Sequence, residues 1–316
     1  MFYSYHLEQG EGTVIISIQP ESVKQGRFAT RATQRFRRVG TALTYLLKAK
    51  MADTGHKISI TVTYDNNPCE QGLETDWGFA AFITGTDPQA RLAPVSAFAE
   101  STGAGAGRTI LFDTGPATAN SLLDNMQKLA IEPANVDMVV LSHIHGDHTG
   151  GLSSFLEKNP NVTVYLPSVF PKKFKDNVRN SGAKIVEVKE SLQICENVYS
   201  TGQLGKWIKE QSLIIRTDKG LVVITGCAHP GIVNVVNTAK DLIQDDIFLV
   251  MGGFHLEWAG RGKIEKIISA FKKIGVRYVG PGHCTGHKAR TLFEKHFSTN
   301  YIDVGAGKVI TAVDLQ

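Results

Sequence analysis

The sequence predicts an α/β protein in which two mixed sheets are covered by outer helices. Strand and helix patterns alternate along the chain, and tight turns such as Asp218-Lys219-Gly220 join some strands directly as hairpins. The 316 residues are 42% apolar and 20% charged, which suits a globular protein with a large buried core. No apolar run approaches the ~20 residues that a membrane helix needs, so no membrane partner is expected.

The individual elements follow from short patterns. Residues 57–64 alternate apolar and small polar side chains, as a half-buried strand does, and Asp65-Asn66-Asn67-Pro68 then ends the strand with turn residues. Further strands are predicted at 77–84, 109–112, 136–141, 162–166, 184–188, 198–201, 212–217, 221–225, 247–251, 276–279 and 308–313. Helices are predicted at 120–129, 152–158, 172–179, 232–242, 264–274 and 285–297. Residues 91–108, rich in Ala and Gly, are predicted to be a flexible insertion or a hairpin tip.

Residues 1–50 differ from the remainder in charge. Eight of the 34 basic residues but only three of the 30 acidic ones lie there, which leaves 26 basic and 27 acidic residues in 51–316. We expect 1–50 to be a dispensable extension or a translation-start artefact, with Met51 as a natural start; a functional basic arm is the alternative. Residues 51–316 are predicted to be a single domain. Because this body is nearly neutral, we expect no nucleic-acid partner.

The four cysteines are far apart and form no C-x-x-C pair. They are Cys69, Cys195, Cys227 and Cys284. A disulfide framework is therefore not expected, and a reducing, cytoplasmic location is.

The strongest chemical signal is the segment Leu141-Ser142-His143-Ile144-His145-Gly146-Asp147-His148. Three histidines and a carboxylate fall within six positions, directly after an apolar strand and just before Gly150-Gly151. Side chains at i and i+2 can converge on one point, and those at i+4 and i+5 on a second. Imidazole and carboxylate ligands suit zinc, iron or manganese, so the segment predicts a site for one or two ions. The alternative is a polar turn that happens to be rich in histidine.

The pattern His143-x-His145-x-Asp147-His148 resembles the signature of the metallo-β-lactamase superfamily. The resemblance implies a four-layer αββα sandwich with a dinuclear metal site between two sheets. It also implies that Asp113, in the turn Asp113-Thr114-Gly115, orients a ligand histidine or the metal loop without binding the metal itself. His283, on the loop after a late strand, matches the superfamily's last ligand.

The second half of the site departs from the superfamily pattern. Ser200-Thr201-Gly202-Gln203 stands where a third-motif histidine is usual, and His229 is the candidate to replace it. Cys227 stands where an aspartate often bridges the two metals; it is either a bridging thiolate or a small core residue. His255 also follows a strand, and we expect it to bind substrate or transfer a proton, with a ligand role as the alternative.

Several segments are similar to one branch of the superfamily. They are Tyr64-Asp65-Asn66-Asn67-Pro68, residues 73–79, Gly226-Cys227-Ala228-His229 and Gly253-Phe254-His255-Leu256. This branch contains the archaeal dihydropterin synthase-like enzyme of methanopterin biosynthesis, and the likeness covers residues 57–316. That enzyme joins a dihydropterin methyl pyrophosphate to ribofuranosyl-aminobenzene phosphate and releases pyrophosphate.

The resemblance implies a metal-dependent enzyme for an anionic, phosphorylated or pterin-like small molecule. Two divalent ions are expected, zinc first, with manganese, iron or magnesium as alternatives. The expected ligands are His143, His145 and His229 for one ion, and Asp147, His148 and His283 for the other, with Asp147 and His255 as catalytic residues. Asn66, Asn67 and Trp77 are candidate substrate contacts. The competing functions are a hydrolase that cleaves esters or phosphodiesters with a metal-bridging hydroxide, and a non-catalytic metal- or pterin-binding protein.

Overall fold

The computed structural model describes residues 2–10, 13–21, 58–85, 108–118 and 121–311. The chain divides into two compact units, Met1–Gly55 and His56–Gln316. In the first unit, β1 (Phe2–Gly10) and β2 (Thr13–Glu21) pair as an antiparallel hairpin that the sequence analysis did not predict. Almost all of the insertion predicted at 91–108 lies outside the described residues. The separate status of residues 1–50 stays a prediction.

The second unit contains two mixed sheets. The seven-stranded sheet has the spatial order β15-β3-β4-β5-β6-β7-β8. Its strands are β3 (Ile58–Asp65), β4 (Phe79–Gly85), β5 (Thr109–Phe112), β6 (Met138–Val140), β7 (Thr163–Pro167), β8 (Lys184–Val188) and β15 (Val309–Thr311). The six-stranded sheet has the order β14-β13-β12-β11-β10-β9. Its strands are β9 (Leu192–Cys195), β10 (Val198–Ser200), β11 (Leu213–Thr217), β12 (Gly220–Thr225), β13 (Ile247–Gly253) and β14 (Tyr278–Gly282).

The helices pack on the outer faces of the sheets, except the one-turn helix at Gly146–Thr149, which carries Asp147 and His148. In the described part of the second unit they are α1 (Ser121–Lys128), α2 (Gly146–Thr149), α3 (Leu152–Lys158), α4 (Lys172–Asn180), α5 (Ile232–Ile243), α6 (Arg261–Ile274) and α7 (His287–Phe297). Single 3-10 turns occur at Pro133–Asn135, His283–Thr285 and Ser298–Asn300. The predicted helices are present with small shifts of their ends, whereas β9 and the one-turn helix α2 were missed.

Alternating burial along the strands produces the layers. In β5, Ile110 and Phe112 belong to the core between the sheets, whereas Leu111 packs on the opposite face with α1 and α3. In β12, Val222 points into the same central core and Val223 packs outward against α5 and α6. Both faces of the central strands are covered, and β6, β12 and β13 are accordingly apolar or glycine at nearly every position. The predicted αββα sandwich is confirmed.

The directions of the strands bring most of the candidate site residues to one edge of the sheets. β5 and β6 run parallel in one sheet, and β12, β13 and β14 run parallel in the other. Parallel neighbours present their carboxyl ends at the same edge, so the loops that follow these five strands converge. These loops carry the candidate site residues except Asn66, Asn67 and Trp77, which lie between β3 and β4.

Asn125 fixes the segment between β3 and β4 against α1. Its amide nitrogen donates to the carbonyls of Thr63 (2.9 Å) and Glu74 (2.8 Å), and its oxygen accepts from the Glu74 N–H (2.7 Å). The side chain is fully buried, and its loss would leave the buried carbonyl of Thr63 without this hydrogen bond and release Glu74.

Asn125→Ala should lower the free energy of unfolding by about 2–3 kcal/mol, because a buried polar group without a partner costs roughly 1–3 kcal/mol. Urea unfolding followed by circular dichroism measures this change. Gln127→Ala, on the exposed side of the same helix, is the matched control and should be neutral. Equal effects of the two changes would contradict the role given to Asn125.

Candidate metal centre

The first group of candidate ligands consists of His143, His145 and His229. One ligand atom from each lies within 4.8 Å of the others. His143 Nε2 is 3.0 Å from His145 Nδ1, and the His229 ring centroid is 4.6 Å from that of His143 and 5.0 Å from that of His145. The structure thus brings His229 to the two histidines with which it was predicted to act.

The second group consists of Asp147, His148, Cys227 and His283, again with ligand atoms within 4.8 Å of one another. His148 Nε2 is 3.2 Å from both His283 Nε2 and Cys227 Sγ. Asp147 Oδ2 is 3.4 Å from the Nε2 atoms of His148 and His283. Cys227 therefore lies with the predicted ligands, and its buried thiol faces the site.

Four of these imidazoles have a hydrogen-bond acceptor at Nδ1. His148 Nδ1 contacts Asp113 Oδ2 (2.7 Å), His229 Nδ1 contacts Glu210 Oε2 (2.8 Å) and His283 Nδ1 contacts Asn66 Oδ1 (2.9 Å). The fourth contact joins His143 Nδ1 to Ser142 Oγ (2.9 Å), which itself donates to Asp113. A carboxylate or amide oxygen can only accept, so each Nδ1 carries the proton. The Nε2 atoms are left facing the two groups, and they can bind a metal ion where they carry no proton.

Asp113 supports both groups at once. Its fully buried carboxylate accepts from the Ser142 N–H (2.7 Å), the Ser142 hydroxyl (2.7 Å) and His148 Nδ1. It lies directly after β5 in a left-handed backbone conformation, at φ 57°. This geometry suits the orienting role predicted for it.

Glu210 is a support that the sequence analysis missed. Its buried carboxylate accepts from the N–H groups of Cys227 (2.9 Å), Ala228 (2.8 Å) and His229 (2.8 Å), and from the His229 ring. It thereby shapes the whole turn after β12. A glutamate next to the apolar strand β11 was the one signal available, and nothing in the sequence linked it to a histidine 19 positions later.

Asp65 holds the turn that carries His283. The fully buried carboxylate accepts from the N–H groups of His283 (2.9 Å) and Asn67 (2.8 Å). Asn66 and Asn67 are engaged in this support, through His283 and Asp65 respectively. A direct contact of either asparagine with substrate stays a prediction. Trp77, 40% exposed, lies with its ring centroid 5.0 Å from that of His283.

The electrostatics of the site favour a cation at its centre. Burial holds the pKa of His143 well below its usual value, and burial together with His229 lowers that of His145, so both rings are neutral ligands at pH 7. Burial alone would lower the pKa of His148, but Asp113 and Asp147 raise it to about 10. The buried carboxylates thus stabilise positive charge where the Nε2 atoms converge. The donor set and its charge fit divalent metal ions.

His255 and Cys284 form a third group with Cys227, whose ligand atoms also lie within 4.8 Å of one another. The His255 ring is exposed, and its centroid is 4.6 Å from that of His229. A hydrogen bond with Cys284 raises the pKa of His255, and burial partly opposes this shift. The structure therefore places His255 at the mouth of the site, beside the first group.

Known proteins resemble this chain in sequence and in fold. The family model described as the metallo-β-lactamase superfamily matches residues 100–242. The 7,8-dihydropterin-6-methyl-4-(β-D-ribofuranosyl)-aminobenzene-5′-phosphate synthase of Methanocaldococcus jannaschii is 30% identical over 248 residues, which cover 64% of this chain and 84% of the relative. This chain belongs to the metallo-β-lactamase superfamily, whose members are mostly enzymes that use divalent metal ions.

A solved structure and a second relative extend the comparison. A crystallised metal-dependent hydrolase of the β-lactamase superfamily is 27% identical, with a TM-score of 0.62 over 80% of this chain and 98% of that one. Ribonuclease Z of Streptococcus equi subsp. equi is 27% identical over 127 residues, which cover 38% of this chain and 36% of the enzyme. None of the helices in the described ranges has the length and apolar character needed to cross a membrane.

Glu210→Gln should lower the stability of the metal-free protein by about 3 kcal/mol at neutral pH. Burial alone would raise the pKa of this carboxyl, but His229 and His143 lower it to about 2, below the ~4.3 of an unfolded chain. The folded state therefore gains stability above pH ~4.3 and loses it as the pH falls through about 2.

Urea unfolding of the wild type and of Glu210→Gln between neutral and acidic pH measures this difference, which should shrink below about pH 4. Glu190→Gln, an exposed glutamate, is the control and should match the wild type throughout. A stability difference that stays constant with pH would contradict the depressed pKa.

Proposed function

We propose that this protein is a metal-dependent enzyme acting on a phosphorylated or pterin-like small molecule, with a transferase reaction like that of the dihydropterin-linked synthase. The observation that carries the proposal is the likeness to that synthase over 84% of its length, together with the convergent ligand groups. Identity of 30% supports a related chemistry and leaves room for a different substrate.

The proposed ligands of one ion are His143, His145 and His229. Those of the other are Asp147, His148 and His283, with Cys227 beside them. A pair of divalent ions there would supply Lewis-acid stabilisation of an anionic group and activation of a coordinated water. Zinc is the proposed metal, because a site that offers imidazole, carboxylate and thiolate together suits it better than magnesium.

The surroundings of the site support a small, flat substrate. The Trp77 ring is partly exposed beside His283, where a planar heterocycle could stack on it. The nearly neutral charge of residues 51–316 argues against a nucleic-acid substrate, although ribonuclease Z enzymes are among the relatives. We therefore propose an anionic small molecule as the partner.

In the proposed transfer, the amino nitrogen of an aminobenzene bonds to the methylene carbon of a pterin methyl pyrophosphate. The carbon–oxygen bond to pyrophosphate breaks with its electron pair on the leaving oxygen, and the attacking nitrogen gives up one proton. His255 is the proposed acceptor, because its exposed ring lies at the mouth of the site next to His229. Asp147 is the proposed catalytic carboxylate within the second group.

Hydrolysis is the second candidate. The observation that favours it is the match to a metal-dependent hydrolase structure at a TM-score of 0.62 and 27% identity. In this reaction a water molecule would replace the amine as the nucleophile and attack an acyl or phosphoryl centre.

The purified protein should hold about two divalent ions per chain. His145→Ala should lose metal from the first group, because it removes one of three ligands. Plasma emission spectroscopy measures the content, and His287→Ala, an exposed histidine on α7, is the control. A wild-type protein without bound metal after purification and zinc dialysis would contradict the proposal.

Incubation with a pterin methyl pyrophosphate and an aminobenzene phosphate should release pyrophosphate in step with a coupled product, both measured by mass spectrometry. His255→Ala should reduce kcat by about 10²–10⁴-fold while retaining the two ions, because it removes a proton acceptor. Pyrophosphate release without the coupled product would favour hydrolysis. Ester or phosphodiester cleavage alone would contradict the transferase.

A further inference from the structure

A third donor group is built at the carboxyl edge of the six-stranded sheet. Cys227, His255 and Cys284 each stand two residues beyond the end of their strand, β12, β13 and β14. The three strands are parallel neighbours, with Thr225 paired to Gly252 and Gly253 to Gly282. This register brings the three side chains to one point, and their ligand atoms lie within 4.8 Å of one another.

Gly253 makes room for the Cys284 thiol and for the turn that carries Cys227. A Cβ atom at this position would lie 2.3 Å from the Gly226 carbonyl oxygen and 2.7 Å from Cys284 Sγ, closer than side-chain carbons approach other atoms. Cys284 Sγ is 3.7 Å from the Cys227 carbonyl, which places the thiol against the turn that carries the first cysteine. Both cysteines are almost fully buried, whereas His255 is exposed and leaves the group open to solvent.

The chemistry of these donors selects a soft cation. Two thiolates neutralise one divalent ion, so its burial leaves no uncompensated charge. Two sulfur atoms and one imidazole suit zinc or cadmium, and leave a fourth position open at the exposed side. Hard ions such as magnesium and calcium prefer oxygen ligands.

Occupation of this group would remove two residues from the proposed reaction. Cys227 lies 3.2 Å from His148 Nε2 in the second group, and His255 is the proposed proton acceptor. An ion that binds Cys227, His255 and Cys284 therefore draws the thiol away from the second group and blocks the lone pair of the imidazole.

We propose that Cys227, His255 and Cys284 form a third cation site, selective for thiophilic divalent ions, whose occupation inhibits the enzyme. The binding part of this inference stands on the three residues alone, and the inhibitory part rests on the proposed function. Excess zinc would therefore inhibit the enzyme by binding at this site.

The test is a cadmium titration of the reduced full chain, loaded beforehand with only about two equivalents of zinc, under anaerobic conditions. The wild type should show an ultraviolet thiolate-to-cadmium charge-transfer band and retain one more ion per chain than Cys284→Ser after gel filtration. His255→Ala, at an exposed position, tests the same site in a variant expected to fold and should also lose this ion. Cys69→Ala and Cys195→Ala remove the two other cysteines and should behave as the wild type.

Inhibition is measured separately from binding. Cys284→Ser should need at least about tenfold more cadmium for half-inhibition of its own activity, since even residues that only support a ligand contribute 10–100-fold to metal affinity. Equal cadmium retention and equal band intensity in the wild type, Cys284→Ser and His255→Ala would overturn the third site and leave the two-metal proposal intact. A protein that binds cadmium at these thiols but never holds zinc at the other groups would overturn the proposed function and support this site.

Discussion

Both ligand groups depend on the hydrogen bonds that the buried carboxylate of Asp113 accepts. It accepts two hydrogen bonds from Ser142 and one from His148, so a single side chain orients the second group directly and the first group through His143. A buried carboxylate without these donors would carry a large desolvation cost. The loop after β6 must therefore adopt the conformation that presents its histidines, whereas Glu210 and Asp65 hold the turns that carry His229 and His283.

The two halves of the centre use the same device in different sequence contexts. Asp113, directly after β5, accepts a hydrogen bond from His148. Glu210, shortly before β11, accepts one from His229. Each fixes the tautomer of a ring and leaves Nε2 available. The arrangement holds His229, two residues after Cys227, beside His143 and His145. Glu210 also accepts hydrogen bonds from three backbone N–H groups, so it holds the turn that carries the His229 ring.

The fold was predictable because strand periodicity and the motif at 143–148 are local signals. His143, His145, Asp147 and His148 are close in sequence, so their spacing alone indicated a metal site. The hydrogen bonds of Glu210 and the proximity of Cys284 to Cys227 and His255 were not predictable in this way. The partners of both residues follow other strands, and only the sheet register brings them together. The pairing of β1 with β2 was missed because mixed polar and apolar residues obscure the alternation of the strands, although the glycines at positions 10 and 12 are a turn signal in the sequence.

The distance along the chain between each ring and its support has a consequence for folding. Asp113 and His148 are separated by 35 positions, but Asn66 and His283 by 217 and Asp65 and His283 by 218. Contacts of such long sequence separation form late, because loop closure has to precede them. The second ligand group can be completed only after the first and last parts of the domain have met. Only the second group would therefore report finished folding, because a chain stalled before β14 would lack His283 and present an incomplete set of ligands there.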